Sequence, residues 1–162
     1  MRYHNITKDD MLNGDGLRVV LWVAGCSHCC KECHNPITWD PNGGLEFDDA
    51  AKQEIFCELE KDYIHGITFS GGDPLHINNA FDVADLAKEI REKYPNKSIW
   101  LYTGAMWEEV KQMKLMKYLD VLVDGEFVEF YPEHSVVEKF FLATEEIHRA
   151  NGGRWQDFKF EK

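Results

Sequence analysis

Leu17-Arg18-Val19-Val20-Leu21-Trp22-Val23-Ala24 runs without a break into Gly25-Cys26-Ser27-His28-Cys29-Cys30-Lys31-Glu32-Cys33-His34-Asn35-Pro36. Apart from Arg18, the first eight residues are apolar on both alternating faces, which is the pattern of a strand covered on both sides. Strands of that kind belong to sheets flanked by helices, and this one delivers its carboxyl end directly into a cysteine loop.

The next elements repeat the theme. Ala51, Ile55 and Leu59 recur at helical spacing within Asp49 to Leu59, and Ile64 to Phe69 is a strand that stops at Ser70-Gly71-Gly72. Val83, Leu86, Ala87 and Ile90 mark a second helix closed by Pro95-Asn96, followed by a strand from Ile99 to Thr103 that ends at Gly104. Met106, Val110 and Met113 predict a third helix, before a strand from Val121 to Val123 and the turn Asp124-Gly125.

The order β-α-β-α-β-α-β predicts an α/β fold with parallel strands and right-handed crossovers, its site on the loops at the carboxyl ends of the strands. Four or five strands are too few for a closed eight-stranded barrel, which takes at least about 200 residues. The expectation is an open, partial (β/α) barrel in a single domain over residues 1–162, with a core from about 13 to 125 and an extension over 126–162. Within that extension Val137, Phe140 or Phe141, Thr144 and Ile147 suggest one more helix stopped by Asn151-Gly152-Gly153. Phe127, Phe130, Tyr131 and Pro132 read either as core or as a surface that another protein covers.

Composition narrows the function. With 18 basic against 29 acidic residues the formal charge is −11, so no cationic excess exists to replace the counterions of nucleic acid or of an anionic membrane. No apolar run approaches the roughly 18–20 residues of a membrane span, and Met1-Arg2-Tyr3-His4-Asn5 does not open a signal peptide. The chain is expected in the cytoplasm, with neither nucleic acid nor membrane as partner.

Of the five cysteines, Cys26, Cys29, Cys30 and Cys33 fall within eight residues, too close together to staple distant parts of a chain and suited instead to metal. Cys57 reads as a small core residue of its helix. A tetrahedral zinc site would use all four clustered thiols, but such sites usually separate two Cys-x-x-Cys pairs by a finger. A fully ligated [4Fe–4S] cluster would need a fourth cysteine at a spacing this loop lacks. Cys26-x3-Cys30-x2-Cys33 gives three thiolates on one loop and leaves one iron of a cubane open to substrate, as catalytic metal sites require.

Cys-x3-Cys-x2-Cys after the first strand, with Gly72-Asp73-Pro74 closing a Gly-Gly-Asp-Pro run after the second, resembles the radical S-adenosylmethionine (SAM) superfamily. Within it, Asn13-Gly14-Asp15-Gly16-Leu17-Arg18, the stretch Cys33 to Trp39, Ser70 to Leu75 and Asp120 to Gly125 resemble the activating proteins of anaerobic ribonucleotide reductases. After Gly125 the chain departs from that pattern. Lys139 to Arg149 stand where such proteins commonly carry a Trp/Phe-Arg-Gly-Ser…Asn-Gln-Arg stretch.

The resemblance implies that Cys26, Cys30 and Cys33 hold a [4Fe–4S] cluster whose open iron takes the amino and carboxylate groups of SAM. It implies SAM contacts at Ser70, Gly71, Gly72 and Asp73, where two glycines let backbone approach a ligand. Glu32 and His34 join the pocket by their positions flanking Cys33, and Asn35 braces the loop. Thr103 and Asp124, at strand ends, reach the SAM ribose or carboxylate side or else cap the helices that follow. Trp39 reads as core.

The function so implied is generation of a glycyl radical on a partner enzyme, most simply anaerobic ribonucleotide reductase, with electrons from a flavodoxin- or ferredoxin-like donor. The competing readings are a radical SAM enzyme acting on a small molecule, of the deazaguanine-synthase kind, and a non-enzymatic zinc or iron–sulfur module. The first of these needs extra elements to wall in its substrate.

Overall fold

The computed structural model describes residues 1–31, 33–126, 146–151 and 154–158, the last two segments by their backbone. One sheet holds β1 (Arg2–Asp10), β2 (Arg18–Val23), β3 (Leu45–Glu46), β4 (Gly66–Gly71), β5 (Ser98–Tyr102), β6 (Val121–Asp124), β7 (Glu146–Asn151) and β8 (Arg154–Phe158). Their spatial order is β3-β1-β2-β4-β5-β6-β7-β8. The four strands read from the sequence, β2, β4, β5 and β6, are adjacent and parallel, in registers that pair Val19 with Ile67, Ile67 with Ile99 and Leu101 with Leu122.

The α/β class therefore holds, but the sheet is mixed rather than wholly parallel. β1 pairs antiparallel with β2 and β3, and β7 and β8 add an antiparallel hairpin beyond β6. β1 escaped the periodicity because only Ile6 in it is buried and because register shifts interrupt its ladder between Tyr3 and Asn5 and between Thr7 and Asp10. The helix expected to end at Asn151-Gly152-Gly153 is corrected over 146–151, where Ile147 pairs with Val123 in a strand. Asn151 pairs with Arg154, and Gly-Gly between two paired runs is a hairpin signal rather than a helix stop. Phe127, Phe130, Tyr131, Pro132, Val137, Phe140, Phe141 and Thr144 lie outside the described residues.

Strand alternation divides the sheet into two faces. Val19, Leu21, Val23, Ile67, Phe69, Ile99, Leu101 and Leu122 pack against helices α1 (Asp49–Leu59) and α2 (Ala80–Lys93), through Ile55 and Leu59 of the first and Val83, Leu86, Ala87 and Ile90 of the second. Asp48 starts α1 by accepting a hydrogen bond from Ala51 N–H at 2.9 Å. The expected third helix shrinks to one turn, α3 (Trp107–Val110), and a 3₁₀ turn at Lys114–Lys117; Val110 is buried, but Met106 is exposed ahead of it. Cys57 is also exposed, against the expectation of a core position, since its side of α1 faces solvent.

The other face carries Trp100, Val121 and Val123 as a second, smaller cluster with Tyr102 against it. Arg18 crosses its amino-terminal end, fully buried. Its guanidinium donates to Thr68 Oγ1 (2.8 Å), Asp15 O (2.9 Å), Ser98 Oγ (2.9 Å), Ile67 O (2.7 Å) and Ser98 O (3.0 Å), and its Cζ lies 5.3 Å from the centroid of the Trp100 ring. Burial lowers its pKa to about 10, so it stays charged at neutral pH. A buried cation is tolerated only when its donors are satisfied.

Arg18→Ala should therefore lower the unfolding free energy by about 3 kcal/mol or more, through loss of hydrogen bonds to a charged group and a cavity in its place. Lys8→Ala, which removes a half-exposed partner of Glu54, should leave the urea midpoint almost unmoved. Equal midpoints for the two variants would refute the role given to Arg18.

Candidate metal centre

The carboxyl ends of β2, β4, β5 and β6 open into one pocket, and Cys26, Cys30 and Cys33 line it together with Ser70, Gly71, Gly72 and Thr103. Gly25, at φ +105°, turns the chain out of β2 in a backbone conformation that favours glycine. The loop is then anchored by Gly25 N–H to Thr38 O (2.7 Å) and Cys26 N–H to Trp39 O (3.1 Å). It returns through the 3₁₀ turn Pro36–Thr38, where the buried Thr38 hydroxyl donates to Asn35 O at 2.8 Å.

Inside the loop the adjacent cysteines diverge. Cys29 is exposed with φ +52°, whereas Cys30 is 8% exposed and lines the pocket. Cys33 N–H bonds to Cys30 O at 3.2 Å, and Asn35 N–H points at Cys33 Sγ at 3.4 Å. Burial pushes the Cys26 thiol up, a backbone hydrogen bond from His28 opposes the rise, and negative charge at Asp73, Cys30 and Cys33 adds to it. Cys26 is thus near enough to Cys30 and Cys33 to feel their negative charge, a cost that bound iron would remove. Among the described residues no three His, Cys, Asp or Glu side chains gather to hold a single metal ion. Cys29, the fourth thiol that tetrahedral zinc would need, faces outward. The donor set fits a three-thiolate cluster.

The glycine-rich loop packs directly on the cysteine loop. Gly72 N–H donates to Val23 O (2.8 Å) and Asp73 N–H to Gly25 O (2.7 Å). A Cβ on Gly72 would fall 2.4 Å from Gly25 O, and one on Gly71, at φ +108°, would fall 2.6 Å from Val23 N. These glycines are required by the contact between two loops, whether or not a ligand also approaches them.

Asp73 is buried behind the pocket rather than in its lining. One carboxylate oxygen accepts from the Thr103 hydroxyl (2.9 Å) and Leu75 N–H (2.8 Å), and the other pairs with His28 Nε2. That hydrogen bond raises the His28 pKa, with burial opposing it. Asp124 is likewise buried and accepts from the N–H of Trp107, the first residue of α3, a helix that precedes β6 in the chain. His34 and Asn35 line the pocket, and Asn35 braces the loop through its backbone. Glu32 lies outside the described residues. Trp39, read as core, is half-buried and lines the pocket, as do Trp22, His28 and Tyr102. Trp22 and Tyr102 were foreshadowed only by their strand-end positions, and His28 only by its place two residues after Cys26.

A family model described as a 4Fe-4S single cluster domain matches residues 12–140. An activating protein of anaerobic ribonucleoside-triphosphate reductase from Enterobacteria phage T4 is 40% identical over 132 residues, 82% of this chain and 85% of the relative. The chain belongs to the family of anaerobic ribonucleoside-triphosphate reductase-activating proteins. Members from Haemophilus influenzae (37% over 153 residues, 92% of this chain and 98% of the relative) and Escherichia coli K12 (40% over 141 residues, 85% and 92%) match over most of both lengths. In this activating-protein family member, the cysteine loop and the glycine loop both fall inside the matched cluster domain.

Cys30→Ala should abolish or destabilise the cluster, whereas Cys29→Ala should keep iron near about four per chain, the content of a [4Fe–4S] cubane. Iron and sulfide analysis of anaerobically reconstituted variants decides this. Equal loss from both would make Cys29 a ligand.

Proposed function

We propose that this chain is an iron–sulfur enzyme that reductively cleaves SAM and installs a glycyl radical on anaerobic ribonucleotide reductase. The observation that carries the reading is the set of three inward thiols, with the fourth turned away, at the mouth of a pocket walled by bare glycine backbone. A cluster held by Cys26, Cys30 and Cys33 and reduced by an external donor would supply the one electron that reductive cleavage of a SAM carbon–sulfur bond to methionine and a 5′-deoxyadenosyl radical requires, the radical being able to remove a glycine hydrogen.

The chain's own residues divide the remaining work. Cys26, Cys30 and Cys33 hold the cluster, and Asn35 N–H eases charge on the Cys33 sulfur. Ser70, Gly71 and Gly72 offer backbone to the SAM ammonium, while Glu32 and His34 flank the third thiolate. Thr103 lines the wall, and Asp73 and Asp124 support it from behind through their hydrogen bonds.

A protein substrate fits better than a small molecule. Beneath the pocket the sheet face is filled by Arg18, Val20, Trp100, Val121 and Val123, all buried, which leaves the reacting position to be approached from the open side. We take the sheet as an open, partial barrel in one domain whose core spans 13–125, with the extension over 126–162 helping to select the partner. Among the described residues no helix is long and apolar enough to cross a membrane. A cytoplasmic site of action and a flavodoxin- or ferredoxin-like electron donor complete the proposal.

Reduced, iron-replete protein mixed anaerobically with SAM and an anaerobic ribonucleotide reductase should give 5′-deoxyadenosine and a glycine-centred radical by electron paramagnetic resonance. Deoxyadenosine without the radical would move the substrate elsewhere. Neither product under strong reductant would refute SAM cleavage itself.

A further inference from the structure

Between Cys26 and Cys30, among the described residues, only His28 makes a side-chain hydrogen bond to another element, and its partner is Asp73. Asp73 is 3% exposed and also accepts from Thr103, itself 7% exposed, and from Leu75 N–H. A Cβ on Gly104 would fall 2.6 Å from His28 Cδ2, so the imidazole rests against the backbone that follows β5. One ring standing on the loop after β2 thus touches the loop after β4 and the loop after β5. Removing it would leave a buried carboxylate oxygen without that partner, a loss larger than that of an exposed hydrogen bond.

We propose that His28 is a positioning residue that latches the cluster loop through Asp73 onto the loops following β4 and β5, so that the seating of the cluster and the shape of the SAM pocket are set together. This rests on the reading that the cluster and SAM share this pocket. His28 is not a ligand in it; it fixes where Cys26 and Cys30, two residues to either side, stand relative to Gly71 and Gly72. Gly104 has the complementary task of leaving room for the ring.

The test compares wild type, His28→Ala and His28→Gln as anaerobically reconstituted full chains. Two quantities are read: the rate at which a chelator strips iron, and the SAM concentration that half-saturates the change in the electron paramagnetic resonance spectrum of the reduced cluster. His28→Ala should shed iron faster and need about tenfold more SAM, the scale of one lost charge-assisted hydrogen bond. His28→Gln, which keeps an N–H for Asp73, should recover most of both. Wild-type behaviour of His28→Ala, or a glutamine variant no better than alanine, overturns the latch. Should His28→Ala take up no iron, the glutamine variant decides alone: iron retention near wild type supports the latch, and failure to retain iron overturns it. If wild type itself shows no spectral response to SAM, the functional reading falls, while the chelator rates still decide the latch.

Discussion

Gly72 lies so close to the carbonyl of Gly25 that no side chain could stand between them, and the site depends on that backbone contact. It brings the loop after β2 and the loop after β4 into one body, cross-linked by Gly72 N–H to Val23 O and Asp73 N–H to Gly25 O. Parallel pairing of β2 with β4 sets the approach, because neighbouring parallel strands end on the same side of the sheet. Thiols and bare peptide groups then share a pocket that neither loop could form alone. A larger residue at Gly72 would force the loops apart before it affected any ligand.

Polar burial holds the two ends of the same sheet. At the amino-terminal end Arg18 spends its donors on Thr68, Ser98, Ile67 and Asp15, and so ties the Asn13 to Gly16 loop under the sheet. At the carboxyl-terminal end Asp73 gathers His28, Thr103 and Leu75. Each buried charge is compensated by several hydrogen bonds, the condition under which such groups fix an arrangement rather than destabilise it. Between them lies the packed cluster of Trp100, Val121 and Val123, which leaves reactivity to the open edge.

The parallel core was legible because doubly covered strands leave uninterrupted apolar runs, as in Val19 to Val23, and because Ile55 and Ile90 sit at helical spacing from their neighbours. The antiparallel edges were not. β1 presents a single buried residue, Ile6, and Gly152-Gly153 signals both a helix stop and a hairpin until the pairing of Asn151 with Arg154 distinguishes them. In the site, the spacing set Cys29 apart from Cys30, and Cys29 is exposed whereas Cys30 is buried. The partnership of His28 with Asp73 could not be read in advance, since 45 residues separate them and only the register of β2 on β4 makes them neighbours. Asp73 accepts from Leu75 N–H and Asp124 from Trp107 N–H, because strand-end carboxylates that become buried must satisfy nearby donors, and those partners could not be read from the sequence.

The central claim is that three thiolates leave one iron of the cluster free for SAM. Mössbauer spectroscopy of protein reconstituted with ⁵⁷Fe, with and without SAM, tests it most directly. Three protein ligands predict that about one quarter of the iron signal, the single open site of a four-iron cubane, shifts on SAM addition while the rest stays in place. A spectrum that SAM leaves unchanged, or one in which all the iron is already equivalent and fully ligated, would contradict it.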